Sequence, residues 1–281
     1  MPGIKIVHEL PHISMAAEVL FHVGGFPITN TIVATWVSML LLVVVSLLLT
    51  RRTKFVPTGL QNVVETTLEM FYNGVAKIRA GEQAAFFLPL AGTLFFFILL
   101  SNWMGLLPGF GSIGLIVEHH GEEVFVPLLR SANTDLNTTL ALALFSVIST
   151  QIYGIKVRGF FRYAGRYIRV GGFVDFFKRL VGLQPRKGWF NTLLNAIIDA
   201  FIGILEILDE LTKLLSFSFR LFGNIFAGEV LLIVISLLLP YAAPLPFMAL
   251  ELFVGYIQAF IFATLTLVFM THATAVHGHE H

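Results

Sequence analysis

FNTLLNAIIDAFIGILEILDELTKLLSFSFRLFGNIFAGEVLLIVISLLL, residues 190–239, decides the fold of this chain. Apolar residues run through it in a helical pattern, which breaks at Pro240-Tyr-Ala-Ala-Pro244-Leu-Pro246. A hydrocarbon core of about 30 Å is crossed by about 20 apolar residues. The segment is therefore too long for a single upright span. Its most apolar third carries Arg220, whose guanidinium stays charged at any working pH because its pKa lies above roughly 12. Holding that charge at bilayer depth costs about 2.5–3.5 kcal/mol on insertion scales. A residue retained at such a cost points to function.

The rest of the chain has the same character. Of 281 residues, 56% are hydrophobic and 12% charged, and the mean hydropathy is +0.83. A soluble domain carries about 25% charged residues, so this is a polytopic membrane protein. There is no cysteine, which excludes disulfides and thiolate metal sites. Residues 1–26 mix His8, Glu9, His12 and Glu18 with short apolar runs and read as a surface-lying N-terminal helix, not a cleavable signal.

Spans are expected at 32–50, 86–107 and 136–153, within one membrane domain covering 27–281. Residues 58–80 interleave Leu60, Val63, Val64, Leu68 and Phe71 with Gln61, Glu65, Glu69 and Asn73, the pattern of an interfacial amphipathic helix. Residues 108–134 read as a loop, 156–187 as a strongly basic loop, 247–271 as the returning helix of a hairpin with 190–239, and 272–281 as a polar, His-rich tail. Basic clusters follow the first and third spans. The positive-inside rule then puts those clusters and the C-terminus in the cytoplasm, with the N-terminus and the 108–134 loop outside.

Asp199, Glu206, Lys213 and Arg220 fall seven residues apart, and each step of two turns drifts by about 20°. They form one stripe, joined by Ser216 and Asn224 four residues either side of Arg220. Glu229, nine residues on, lies about 13 Å further along the helix on the opposite face. Glu251 and Gln258 share a face of the next helix. Two polar groups thus flank a fixed cation, an arrangement suited to passing an ion from one side route to another. The cation blocks direct passage and favours the ionised form of a carboxylate brought beside it. No mid-membrane carboxylate of this chain faces Arg220, so a partner subunit is expected to supply one.

The motif Arg220-Leu-Phe-Gly-Asn-Ile-Phe-Ala-Gly-Glu229, followed by Gln258-Ala-Phe-Ile-Phe262, closely resembles the subunit a family of F-type ATP synthases, the stator of the membrane Fo motor. Asn102-Trp-Met-Gly-Leu-Leu-Pro108 and Ser131-Ala-Asn-Thr-Asp135-Leu-Asn137-Thr are also similar to that family. The resemblance implies an all-α integral membrane protein whose last two long helices form a strongly tilted hairpin against a rotating ring of c subunits. It implies that Arg220 faces the ring carboxylate, with Asn224 and Gln258 in support. Glu229, Glu251 and Asp135 match an outer proton path, and Glu206, Ser216 and Asp199 fall on a cytoplasmic one. Where part of the family has histidine at the second outer position, this chain has Glu251. The implied partners are the c-ring, subunit b and the peripheral stalk, the rest of the F1Fo complex and membrane lipids; the basic loop and the length point to a bacterial inner membrane.

Plainer readings stand beside these. Arg220 could be a structural ion pair, and Glu229 and Glu251 could pack on each other. Asp199, Asp209, Glu210 and Lys213 could form an interfacial face with local salt bridges. Ser216 could bond back to its own helix, and Gln258 could make a plain interhelical hydrogen bond. His119-His120-Gly-Glu122-Glu123 lacks helical ligand spacing and reads as a solvated loop. No phosphate-binding loop is present, so no ATP chemistry, cofactor, metal or nucleic-acid partner is expected. A stand-alone transporter would show inverted repeats or broken half-helices. A respiratory-complex subunit would favour lysine and glutamate relays.

Overall fold

A computed structural model describes residues 16–51, 53–77, 84–111, 113–119, 122–167, 189–239 and 242–274. The helices are α1 Asn30–Arg51, α2 Leu60–Phe71, α3 Ala84–Met104, α4 Leu136–Arg158, α5 Phe160–Tyr167, α6 Trp189–Leu238 and α7 Pro244–Thr274. α2 continues as a π-helical turn, Tyr72–Ala76. Five helices, α1, α3, α4, α6 and α7, are long and apolar enough to cross a membrane. The all-α membrane fold and the long C-terminal helix pair agree with the sequence. α6 has 50 residues, a length of about 75 Å at 1.5 Å per residue. That is more than twice the hydrocarbon thickness.

The core lies where α3, α4, α6 and α7 meet. α6 contributes Phe217, Leu221 and Ile225; α7 contributes Ala259, Phe262 and Ala263; α3 contributes Leu94, Phe95 and Ile98. Phe217, Leu221 and Ile225 repeat every four residues, so they stand in one row. Small residues at Ala143, Ala259 and Ala263 let neighbouring helices approach closely. Hydroxyl pairs join α4 to its neighbours, Ser146 with Thr266 at 2.8 Å and Thr139 with Ser218 at 3.2 Å. α2 is anchored by Phe71, fully buried against Phe95 and Phe260. α1 by contrast turns Leu40, Leu47 and Leu48 outward.

Two segments depart from expectation. The described part of the N-terminal segment is a hairpin and not a helix: β1 Val19–Val23 pairs antiparallel with β2 Phe26–Thr29. Gly24 and Gly25 both have positive φ, 56° and 86°. A two-residue hairpin turn of this hand requires that geometry, and glycine adopts it without steric cost. The 108–134 loop contains β3 Pro108–Gly111 and a second hairpin, β4 Gly114–His119 with β5 Glu122–Pro127. Its Val, Ile and Phe content suits strands. Within the basic stretch, α4 runs on to Arg158 and α5 follows. Residues 168–188 and His277, His279 and His281 of the tail lie outside the described residues, whereas His272 falls in the last turn of α7.

Candidate functional site

Arg220 stands on the face of α6 turned away from the core. Ser216, Phe219, Gly223, Asn224 and Ala227 are exposed around it, whereas Phe217, Ser218, Leu221, Phe222 and Ile225 are buried on the other side. Among the described residues no hydrogen bond or ion pair reaches the Arg220 guanidinium. Among the described residues, none serves Arg220 as a structural ion-pair partner. The cation sits bare on a mostly apolar face.

The polar residues near it fall into two groups. Asn224 donates its side-chain amide to Gln258 Oε1 at 3.0 Å, joining α6 to α7 one turn beyond Arg220. Gln258 is buried. One turn before it, Ser216 is exposed on the same face as the arginine. Towards the start of α6, Lys213 pairs with Asp209 at 2.7 Å and Glu210 at 3.2 Å, and lies 4.9 Å over the Phe269 ring. These are the local salt bridges of the plainer reading. Asp199 and Glu206 are half-buried further along the helix.

A second cluster lies beyond Asn224. Glu229 is gripped by Arg130, whose Nε reaches both carboxylate oxygens at 3.1 and 3.2 Å while Nη2 reaches Oε2 at 3.0 Å. The arginine is 8% exposed and lies 5.9 Å over the Phe226 ring. Glu251 of α7 lays its carboxyl against Gly228, the residue before Glu229. A side chain at 228 would occupy the same space, so glycine there lets the Glu251 carboxyl lie against α6. No described residue bonds to Glu251.

Asn102 organises the wall beside these acids. It donates to the Gly255 carbonyl at 3.1 Å and accepts from Asn133 at 2.7 Å. Trp103 donates to the Leu252 carbonyl at 3.0 Å. Asp135 caps α4, accepting from the Asn137 backbone N–H at 2.9 Å, and accepts from the Thr31 hydroxyl at 3.0 Å. Its carboxylate thus ties α1 to α4 and is buried.

At the other end of the bundle, Tyr163 and Tyr167 of α5 both donate to Gln151 of α4, and Tyr167 reaches Glu210 at 3.4 Å. Burial first, then the neighbouring Tyr163 and Glu210, pushes the Tyr167 phenol well above the usual tyrosine range. Among the described residues no group of three or more His, Cys, Asp or Glu could hold a metal ion.

Sequence reasoning missed Arg130, Asn133 and the Tyr163–Gln151–Tyr167 clasp. Arg130 left a trace: it is the only Lys or Arg between residues 108 and 135, on the side where the positive-inside rule leaves basic residues scarce.

Five helices long and apolar enough to cross a membrane, packed around a shared core, with an arginine unpartnered among the described residues on an outward face, define a multi-pass membrane protein. The sequence profile of the ATP synthase A chain family matches residues 32–271. The chain is 34% identical over 260 residues to ATP synthase subunit a of Moorella thermoacetica, covering 92% of this chain and 96% of that one. It is 36% identical over 253 residues to ATP synthase subunit a of Gloeobacter violaceus, covering 90% and 86% respectively. The chain belongs to the ATP synthase A chain family.

Proposed function

We propose that this chain is the stator subunit of an F1Fo ATP synthase and conducts protons along two offset half-channels against a ring of c subunits. The observation that carries this reading is the Arg220 guanidinium, bare on an exposed apolar face of α6. Lipid would meet that face at a cost of about 2.5–3.5 kcal/mol. A rotor carrying a mid-membrane carboxylate covers it with an opposite charge instead.

The proposed cycle uses this chain's residues in order. A proton reaches Glu251 from the outer side, past the Arg130–Glu229 pair and the Asn102 wall, and passes to the ring carboxylate. The neutral ring site turns into lipid. After most of a revolution it releases its proton towards Ser216, Glu206 and Asp199 on the cytoplasmic side. It then passes Arg220 as a carboxylate, with Asn224 and Gln258 holding the local polarity. Each charge crossing the field yields about 2.3 kcal/mol per 100 mV. Several such steps supply the ATP-forming head.

Asp135, by its geometry, supports this path by fixing the outer end of α4. The other partners in this reading are subunit b with the peripheral stalk, and membrane lipids. The location is a bacterial inner membrane, with the N-terminus outside and the C-terminus cytoplasmic. The two bacterial relatives and the charge bias of the loops support it.

Replacing the cation tests the reading. In inverted membrane vesicles, Arg220→Ala is expected to abolish proton-driven ATP synthesis while the head still hydrolyses ATP. Normal synthesis in that variant would overturn it.

A further inference from the structure

The two acids of the outer cluster are not equivalent. Glu229 spends both carboxylate oxygens on Arg130, through three charge-assisted hydrogen bonds of 3.0–3.2 Å. The guanidinium is nearly buried, shielded by Phe226, and its Nη1 also donates to the Ala16 carbonyl at 3.5 Å. A bidentate grip of this kind is both strong and geometrically restrictive. Glu251, packed against Gly228, has no bonding partner among the described residues.

A polar wall packs against α7 one turn from that acid. Ser101 Oγ and Asn133 Oδ1 are buried without a hydrogen-bond partner among the described residues. Buried polar atoms of this kind are satisfied by ordered water. Both flank Asn102, whose amide holds the Gly255 carbonyl, four residues from Glu251 on α7. This puts polar groups able to hold water one helical turn from Glu251.

We propose that Arg130 is a positioning residue that commits Glu229 to a closed ion pair, leaving Glu251 as the single carboxyl of the outer route that takes up and releases protons. This rests on the stator reading above. The pair makes the mouth of the route electrically neutral, and Glu251 does the transfer. Removing only the Glu229 charge strands a buried cation beside the route, which repels an incoming proton. Removing both charges restores neutrality.

The test uses the whole complex in inverted vesicles, with ATP-driven proton pumping as the readout. Glu229→Gln is expected to lower pumping by about tenfold or more, because it leaves Arg130 unpaired. Adding Arg130→Gln to it is expected to bring pumping back to within about threefold of the unmodified complex. Glu251→Gln is expected to stop pumping whether or not the pair is present. If Glu229 itself relays protons, the double variant stays as inactive as Glu229→Gln alone, and the inference is overturned. Arg220→Ala runs alongside: if it leaves synthesis intact, the stator reading fails. If it abolishes synthesis while the double variant shows no rescue, only the present inference fails.

A second measurement needs no variant. A hydrophobic carbodiimide, which adds to protonated carboxyls, is applied to the unmodified complex and the peptides are read by mass spectrometry. An adduct on Glu251 and none on Glu229 is expected; an adduct on Glu229 overturns the proposal.

Discussion

Gly228→Ala separates transport from stability in this molecule. A Cβ at 228 falls on all three carboxyl atoms of Glu251. Ordinary separation between such atoms is about 3.5–4.0 Å, so the carboxyl must withdraw by about 1 Å or more. It is the free end of a flexible side chain, so withdrawal is cheap in energy. Alanine also gains up to about 1 kcal/mol of helix propensity over glycine in α6. The complex is therefore expected to assemble with unchanged or slightly higher thermal stability. A misplacement of about 1 Å at a reacting group costs up to about a hundredfold. Proton pumping in inverted vesicles is expected to fall by about tenfold to a hundredfold on that basis. Pumping at the unmodified rate would refute the placement of Glu251. So would a loss of activity fully matched by loss of this subunit from the purified complex.

The remaining predictions test the frame around the site. Asp135→Ala removes the cap of α4 and the bond from Thr31, and is expected to cost about 2 kcal/mol in thermal unfolding of the detergent-solubilised complex. Thr31→Val removes only the second of these and should cost about 1 kcal/mol. Gln258→Ala breaks the α6–α7 hydrogen bond, worth about 0.6–2 kcal/mol in a membrane, and is expected to slow pumping without releasing the subunit, as quantitative blotting would show. Gly154→Ala puts a methyl into the Tyr163 ring. It should free α5 and speed trypsin cleavage at the exposed Arg162, while Tyr163→Phe should do so less.

Parts of this structure that depend on one helix's periodicity were legible in the sequence. The exposed row of Ser216, Arg220 and Asn224 follows from four-residue spacing alone. Glu229 was set apart from the arginine because nine residues turn it to the opposite side of α6, and Glu251 because it lies on the next helix. What periodicity could not show was the partner of each acid. Arg130 lies 99 residues from Glu229, and only the packing of the 128–135 segment against α6 brings them together. Lys213 was placed in the polar stripe, yet two nearby acids and the Phe269 ring hold it locally. The N-terminal hairpin was read as a helix because its short strands give a weaker pattern than a helix does. Asp135 was placed on the proton path through resemblance. Its capping bond to Asn137 came from the structure and gives it a structural task that the resemblance did not suggest.

The account turns on the Arg220 face meeting a rotor. The chain has no cysteine, so one introduced thiol reports without interference. Asn224→Cys, exposed one turn from Arg220, would be paired with a cysteine beside the membrane carboxylate of the c subunit and oxidised mildly in native membranes. A disulfide-linked adduct between the two subunits is predicted, with coupled ATP hydrolysis arrested until reduction, and none from Leu40→Cys on the outward face of α1. No adduct at position 224, or an equal yield from position 40, would contradict the account.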